Sequence, residues 1–497
     1  MSLEKKSLQQ IIEFRKSKLS DLRNNGINPY PSSFSPTHFS ESIKINFIEL
    51  EGNNVTVAGR IMAIRRMGKA SFFKLLDNQG GIQIFIKEDD VNIEAYENFK
   101  LYDIGDFVGI SGKVFKTKTK EISVRASEIT LLAKSIRPLP IVKEKDGVIY
   151  DSFADIEQRF RNRHLDLLLN PKVKQTFIYR TKIIQSIRNF LDKHQFLEVE
   201  TPVLQPIYGG ANAKPFKTHH NALNQTLYMR IADELYLKRL IIGGMDRVYE
   251  IGKDFRNEGM DRNHNPEFTM LEFYWAYADY EDCMNIVEDL IRNVAVNTNA
   301  IKTPFDKFGI DLNKPFKRKK FMELLSDKLG EDVNDINQDK LKRICKTKQI
   351  CLTPNANIGQ ILDTLMGELV EPTLKEPTFV IDYPKVISPL AKVHRNGDPK
   401  LVERFELFIG GDEFANSFSE LNDPIDQRKR LEEQSSFRLL GDEEAQNVDE
   451  NFIQAMECGM PPTGGVGIGV DRLVMLLTGN TSIKDVILFP TLRSEID

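Results

Sequence analysis

Residues 248–280 read VYEIGKDFRNEGMDRNHNPEFTMLEFYWAYADY, and the rest of the chain is read outward from them. Two runs with strand-like alternation, Val248–Arg256 and Phe268–Tyr274, flank a polar loop, Asn257–Glu267, that holds Gly259, Arg262, His264 and Pro266. The pattern predicts a hairpin with a long, charged tip. Side chains two apart on a strand share a face. Arg256 and Glu258 are therefore expected to project together, and so are Phe268, Met270, Glu272 and Tyr274. A guanidinium, two carboxylates, a flat aromatic and a phenol do not belong in a core unless something pairs with them. The residues alone leave two readings open. One is a half-solvated, salt-bridged sheet; the other is a site for a ligand with phosphate, a flat base and a cation.

At 497 residues the chain has room for about two to four domains. Hydrophobic residues make up 41% and charged residues 28%, the composition of an ordinary soluble globular protein. No N-terminal apolar run and no stretch of ~18 apolar residues is present, so neither a signal peptide nor a membrane span is expected. The four cysteines, Cys283, Cys345, Cys351 and Cys458, form no CxxC pair. That argues against a zinc knuckle or a disulfide frame and for a reduced, cytoplasmic setting. A net charge of −4 gives no general attraction to polyanions, so any RNA contact must come from local basic patches.

Upstream of the hairpin, Thr176–Lys193 has apolar residues at helical spacing, and Phe196–Pro202 reads as a short strand broken by proline. Gly209–Ala213 is a small-residue loop suited to close backbone approach to a ligand. Glu234, in LYMRIADELYL, lies near a helix start, where it is at least a first-turn charge. Downstream, Arg404–Asp423 (RFELFIGGDEFANSFSELND) predicts a second hairpin around Gly410-Gly411-Asp412, with Asn416, Phe418 and Glu420 on one face. Glu406 and Glu413 sit on opposite sides of its turn, where pairing brings two carboxylates together, as magnesium prefers, or leaves two exposed acids. Last comes GGVGIGVDR, residues 464–472, before the apolar run LVMLLTG: a strand, a glycine-rich approach and a helix, without the spacing of a P-loop or a dinucleotide fingerprint.

The first third differs in character. Residues Leu8–Asn25 predict an amphipathic basic helix stopped at Gly26, with either a solvated or an RNA-facing polar side. From Val55 to Leu132, five short β-rich runs predict a small closed barrel of the oligonucleotide-binding kind. Phe72, Gln83 and Glu121 supply an aromatic, an amide and a carboxylate, the chemistry that stacks on a base and reads its edge. Lys116, Lys118 and Lys120 lie beside Glu121, placed to neutralise phosphates. The expected division is a basic helix and turn over 1–50, the barrel over 51–135, a linker over 136–160 containing Pro138, Pro140 and Gly147, and a catalytic domain over 161–497. Within the last, the weaker pattern at about 300–371, with Pro304, Pro315 and the basic run Lys317–Lys320, reads as an insertion.

FRNE (255–258), HNPEFT (264–269) and LEFYWAYADY (271–280) together resemble the second signature motif of class II aminoacyl-tRNA synthetases, and in detail the bacterial lysine family. The helix, strand and Pro202 resemble the first motif, which in the family builds a homodimer interface, and the 464–472 segment resembles the third. The resemblance implies an α+β protein, an oligonucleotide-binding barrel followed by an antiparallel sheet flanked by helices. It implies ATP-dependent attachment of L-lysine to lysine tRNA through a lysyl-adenylate. It assigns Arg256 to the α-phosphate and the substrate carboxylate, and Arg256 and Arg472 to catalysis. Glu258 and Asn265 fall near adenine, His264 near the phosphates, and Phe268 and Arg472 on either side of the adenine ring. Gly469 and Asp471 join the ATP set. Glu406 and Glu413 would hold magnesium, with more than one ion per site, and Glu406 also counts with ATP. Gly210 and Glu234 fall to the α-amino group, and Glu272, Tyr274, Asn416, Phe418 and Glu420 to the rest of lysine. Phe72, Gln83 and Glu121 match residues that read the central uridine of the anticodon.

Substrate choice also follows from charge. A lysine ammonium must be stripped of water, which is costly without opposing charge. Acids on both strands, Glu272 and Glu420, supply it, whereas an aspartate or asparagine enzyme should present a cation or an amide. Two other classes compete: a paralogue that lysylates a protein, against which the N-terminal barrel argues, and a catalytically dead binding module, against which Arg256, Glu406, Glu413 and Arg472 argue.

Overall fold

The structure, a computed structural model, describes residues 7–140, 143–145, 148–150, 153–300, 302, 309–333, 337–352, 356–439 and 448–494. Gly147 and Pro304 lie outside the described residues. The chain divides into two compact units, Met1–Ala154 and Asp155–Asp497.

In the first unit, helix α1 (Leu8–Asn24) starts on a capping box made by Ser7 and Gln10 and ends before Gly26, which adopts φ +78°. Two of its four basic residues are taken up within the unit, while Lys16 and Arg23 are exposed. Arg15 is buried and donates to the carbonyls of Ser135 (2.9 Å) and Ile104 (3.0 Å), and Lys18 pairs with Asp103 at 2.6 Å. Strands β1 (Asn54–Met67), β2 (Ala70–Leu76), β3 (Gly81–Lys87), β4 (Phe107–Lys116) and β5 (Ile122–Ala133) close into a barrel in the order β1-β2-β3-β5-β4. Only the β3–β5 pair is parallel. Strict alternation drives closure: Val55, Val57, Ile61, Phe73, Leu75, Ile82, Ile84 and Ile86 all point inward and are buried.

The second unit is built on one eight-stranded sheet. In chain order its elements are helix α2 (Pro171–Lys193), β6 (Leu197–Glu198), helix α3 (Glu234–Ile242), β7 (Arg247–Phe255), β8 (Glu267–Ala276), helix α4 (Tyr280–Asn297), β9 (Lys317–Lys320), β10 (Thr378–Pro384), β11 (Leu401–Ile409), β12 (Asp412–Ser419), β13 (Thr463–Gly469) and helix α5 (Val470–Thr478). Helix α2 begins at Pro171, a turn before the expected Thr176, because proline suits the first helical position. The strand order is β9-β10-β11-β12-β13-β8-β7-β6, with the two outermost pairs parallel and the rest antiparallel.

Parity decides which face is core and which is site. Tyr249, Leu271, Phe273, Phe405, Leu407, Val466 and Ile468 point to one side, where α2, α4 and α5 bury them in one continuous core. The intervening residues form the opposite face, and most of them are polar or glycine. One rung of the ladder there reads Glu250, Glu272, Gly467, Asn416, Glu406 across five strands, and the next reads Val248, Tyr274, Gly465, Phe418, Arg404. The 300–371 region contributes the sheet edge β9 and the helices Phe321–Leu329, Gln338–Thr347 and Ile358–Leu369, which share a second hydrophobic core with β10. Among the described residues no helix is long and apolar enough to cross a membrane.

Candidate active site

The polar face carries two acidic groups separated by a glycine floor. Adjacent strands lie ~4.8 Å apart, so the three steps from Glu272 to Glu406 along their shared rung span roughly 14 Å. Gly465 and Gly467 lie between. A Cβ at Gly465 would meet Glu420 Oε1 at 2.0 Å and the Tyr274 ring at 2.5 Å; one at Gly467 would meet Met270 Cε at 3.1 Å. Side chains on this strand would fill the space that the flanking carboxylates surround.

On one side of that floor stands a crowded acidic pocket. Glu272 is 6% exposed; its carboxylate accepts from the Asp233 N–H at 3.4 Å and from the Tyr274 hydroxyl at 3.3 Å. It makes no ion pair among the described residues. Burial, then the charges of Asp254 and Glu234, push its carboxyl up to about 8. Glu420 is 1% exposed, and burial drives its carboxyl well above the usual range although Lys238 opposes this. Gly210, at φ +89°, abuts Glu234: a Cβ there would meet Glu234 Cβ at 3.0 Å. The structure thus brings Gly210, Glu234, Glu272, Tyr274 and Glu420 together.

Two buried cations stand in this pocket that no motif in the sequence marks. Lys238, one helical turn after Glu234 on α3, is fully buried; it binds Glu234 at 2.5 Å and also pairs with Glu420. Burial disfavours its ammonium, but the two carboxylates outweigh burial and raise its pKa. Arg230 is 1% exposed and sits among Glu250 (2.6 Å), Asp233 (2.8 Å) and Asp254 (3.2 Å). Burial first, then Asp254 and Glu272, raise Asp233 to about 10; burial brings Asp254 to about 6 against the pull of Arg230. Six buried carboxyl groups (Asp233, Glu234, Glu250, Asp254, Glu272, Glu420) face two buried cations, so the pocket carries a surplus of acid.

The second acidic group lies on β11 and β12. The turn between these strands, Gly410-Gly411, has φ of +70° and +94°, the backbone a two-residue hairpin loop needs. Cross-strand pairing puts Glu406 opposite Asn416 and Leu407 opposite Ala415, then jumps so that Phe408 faces Glu413. Glu406 accepts from Arg404 (2.5 Å) and from the Tyr383 hydroxyl (2.8 Å). Burial, relieved by Arg404 and aggravated by Glu413, raises its carboxyl to about 7. Asn416 is held by Arg404, which donates to its Oδ1 at 3.0 Å. Glu371 and Asp363, from the region read as an insertion, belong to the same electrostatic neighbourhood: burial, then Glu406 and Glu413, lift Glu371 to about 8. Among the described residues no three of these side chains close up as a preformed metal cage. Two neighbouring acids that oppose each other's charge, Glu406 largely covered and Glu413 more open, are nevertheless suited to a divalent cation shared with a ligand's oxygens.

The hairpin tip links these two groups to α5. Arg472 donates to the Glu413 carbonyl at 2.6 Å and to His264 Nε2 at 3.1 Å, while His264 Nδ1 faces Asp261 at 2.8 Å; the ring proton therefore sits on Nδ1. The Arg256 guanidinium lies over the Phe268 ring, 5.1 Å from its centre. Glu258 is exposed. Asn265 is buried and occupied at both ends, donating to Glu267 O (2.6 Å) and accepting from Thr491 N–H (3.2 Å). Asp471 is occupied too: it takes the Thr269 N–H at 2.7 Å and the Arg180 guanidinium at 2.5 Å, locking α5 to β8 and α2. At Gly469, two residues before it, a Cβ would come no closer than 3.8 Å to its nearest neighbour, the Arg472 side chain.

On the barrel, Phe72 is half-buried on the outer face, while its neighbour Phe73 fills the core. Register places Arg65, Phe72, Phe85, Arg125 and Lys113 in one outward row. Phe72 and Phe85 rings lie 4.9 Å apart, and Phe115 follows at 6.2 Å from Phe85. Gln83, on the next rung, donates to Ser123 Oγ at 3.0 Å, and Glu121 is exposed in the turn before β5. Phe85 and Phe115 extend the aromatic surface at Phe72, the one ring of the three that the sequence analysis singles out.

Residues 155–493 match the family model described as tRNA synthetases class II (D, K and N), and residues 55–132 match the OB-fold nucleic acid binding domain. The chain is 48% identical over 508 residues to a lysine–tRNA ligase of Porphyromonas gingivalis, covering all of this chain and 87% of that protein. It is 49% identical over 494 residues to a lysine–tRNA ligase of Carboxydothermus hydrogenoformans, covering 99% of each.

Proposed function

Because the chain belongs to the class II tRNA synthetases of the aspartate, lysine and asparagine group, we propose that its acidic pocket holds L-lysine beside ATP and that its barrel reads the anticodon of lysine tRNA. The reaction is the ATP-dependent attachment of L-lysine to tRNA through a lysyl-adenylate, with release of AMP and pyrophosphate. The observation that carries the lysine assignment is the acid surplus around Glu272, a buried carboxylate with no ion-pair partner among the described residues.

Activation needs no protein nucleophile. The lysine carboxylate attacks the α-phosphorus in line and pyrophosphate leaves, so the protein's work is positioning and charge neutralisation. In this reading Arg256 holds the substrate carboxylate and the α-phosphate with its planar fork, which a lysine lacks. Phe268 and Arg472 flank the adenine, and His264, fixed by Asp261, faces the phosphates. Glu258 remains available at the loop for the nucleotide. Asn265 and Asp471 act from behind, by holding the loop end and α5, and Gly469 leaves the nucleotide room. Gly210 and Glu234 take the α-amino group; Glu272, Tyr274 and Glu420 take the side-chain ammonium, with Asn416 and Phe418 lining its path. Glu406 and Glu413 are the residues that would hold magnesium, more than one ion being expected, and the metal would neutralise phosphate charge there.

The segment around α2, β6 and Pro202 is our candidate for a homodimer interface, and the cytoplasm is the setting in which this chemistry meets its tRNA. On the barrel, Phe72 stacks on a base while Gln83 and Glu121 read its edge. ATP–pyrophosphate exchange with each of the twenty amino acids tests the pocket. Lysine should support exchange far above the rest; a preference for any other amino acid refutes the assignment.

A further inference from the structure

We propose that Lys238 is a specificity-determining positioning residue, a permanent internal counter-ion that cancels one of the three pocket carboxylates Glu234, Glu272 and Glu420 and so leaves places for two ammonium groups. The inference rests on the lysine reading of the pocket and adds a residue that reading did not use.

The geometry is that of a fixed group. Lys238 is fully buried, binds Glu234 at 2.5 Å and pairs with Glu420. The Phe418 ring, 5.4 Å from Nζ, and the Phe452 ring, 6.0 Å away, box it in. It therefore bridges the acid expected at the substrate's α-amino group and an acid expected at its side-chain ammonium. The other charged and titratable groups that face these acids are Glu272, Tyr274, Arg404 and the buried Cys283 thiol; Asp233 and Asp254 stand behind Glu272 with Arg230. Without Lys238, three buried carboxylates would meet a substrate that brings two positive charges. With it, two remain. A substrate with a single ammonium, or with a carboxylate on its side chain, leaves a buried charge unmatched.

The test is a pair of variants in the full chain, Glu420→Gln alone and Glu420→Gln with Lys238→Met, assayed by ATP–pyrophosphate exchange from pH 6 to 9. Glu420→Gln leaves Lys238 with one partner and the pocket one charge short, so the KM for lysine should rise ~30-fold or more with a smaller change in kcat. Adding Lys238→Met restores the balance and should bring the lysine KM back down by ~10-fold. If the double variant is worse than Glu420→Gln, Lys238 only supports the fold and the inference fails. If Glu420→Gln itself keeps the wild-type lysine KM, the lysine pocket has been misplaced, a separate failure. Thermal melting of each variant identifies a collapsed fold; a double variant that melts like Glu420→Gln yet recovers no lysine binding also overturns the proposal.

Discussion

Glu413 shares a face of the sheet with Glu406 because Phe414 has no partner across the hairpin. In a regular strand Glu413 and Asn416, three residues apart, would point to opposite sides. The jump from the Leu407–Ala415 pair to the Phe408–Glu413 pair skips Phe414 and reverses the parity, and both Phe414 and Ala415 enter the core. A β-bulge of this kind re-aims a side chain at a site.

The bulge makes the acid pair testable in two ways. Glu413→Ala should slow adenylate formation and raise the magnesium concentration for half-maximal rate. Deleting Phe414 closes the bulge and leaves Glu413, then adjacent to Ala415, on the site face opposite Phe408, so the magnesium titration should stay as in the wild type. An unchanged titration in Glu413→Ala would remove the metal role.

Glu272 gives a pH dependence of defined sign. Its folded carboxyl is raised to about 8 from an ordinary 4.5. The folded state therefore holds a proton that the unfolded chain has lost, and this group's contribution to stability falls as pH rises from 4.5 through 8. Glu272→Gln should melt higher than wild type at pH 8.5, by on the order of a few kcal/mol at most, and gain nothing near pH 4. Lysine needs the ionised form, so its affinity in the wild type should increase from pH 6 to 8 with proton release, read by calorimetry in buffers of different ionisation enthalpy. The variant should show no such slope from this group and bind lysine poorly.

Gly465→Ala places a methyl against Glu420 Oε1 and the Tyr274 ring, at 2.0 and 2.5 Å before relaxation. Overpacking of this kind costs ~1–3 kcal/mol. The lysine KM should absorb most of it, while the ATP KM changes little. Equal effects on both substrates would mean that Gly465 does not floor the lysine pocket.

Gly252→Ala tests the second buried cation. Its Cβ would lie 1.9 Å from Arg230 Nη2, with no room unless the guanidinium leaves its three acids. Breaking a buried pair costs ~3–5 kcal/mol, and the denaturant midpoint should fall accordingly. Gly259→Ala, with nothing within 4 Å, serves as the control and should melt like wild type.

Phe72→Ala should leave lysine activation unchanged and raise the KM for lysine tRNA, a loss of ~1–3 kcal/mol for one stacked base. Both activities are measured in one preparation, so that misfolding lowers both. Phe85→Ala should act in the same direction, because its ring continues the same outward row.

The hairpins were legible because their signals are local. Alternation, the Gly410-Gly411 turn and the flanking polar tip each lie within a dozen residues, and the observed β7 (Arg247–Phe255) and β8 (Glu267–Ala276) begin or end within two residues of the positions expected. The barrel was readable for the same reason. The missed residues depend on long-range pairing. Lys238 and Glu234 look, in sequence, like an ordinary surface pair one helical turn apart. Only the approach of Glu420, 182 positions later, buries them. Arg230 is equally ordinary until Gly252 opens space for it. Glu371 and Asp363 give no signal in the sequence because the strand that carries Glu406 lies beyond the segment they belong to. The bulge at Phe414 has no composition signal at all; it is visible only as a register shift.

The four exposed residues of β9, Lys317-Arg318-Lys319-Lys320, form one edge of the eight-stranded sheet, and β6 at the other edge stops after two residues. A sheet edge with unpaired amides is a template on which another chain can grow, and natural proteins blunt it with charge or brevity. One edge here is guarded by repulsion between like charges and the other by shortness. The same basic run, silent in the chemistry, therefore bears on association: like charges along this edge disfavour its pairing with the same edge of a second copy.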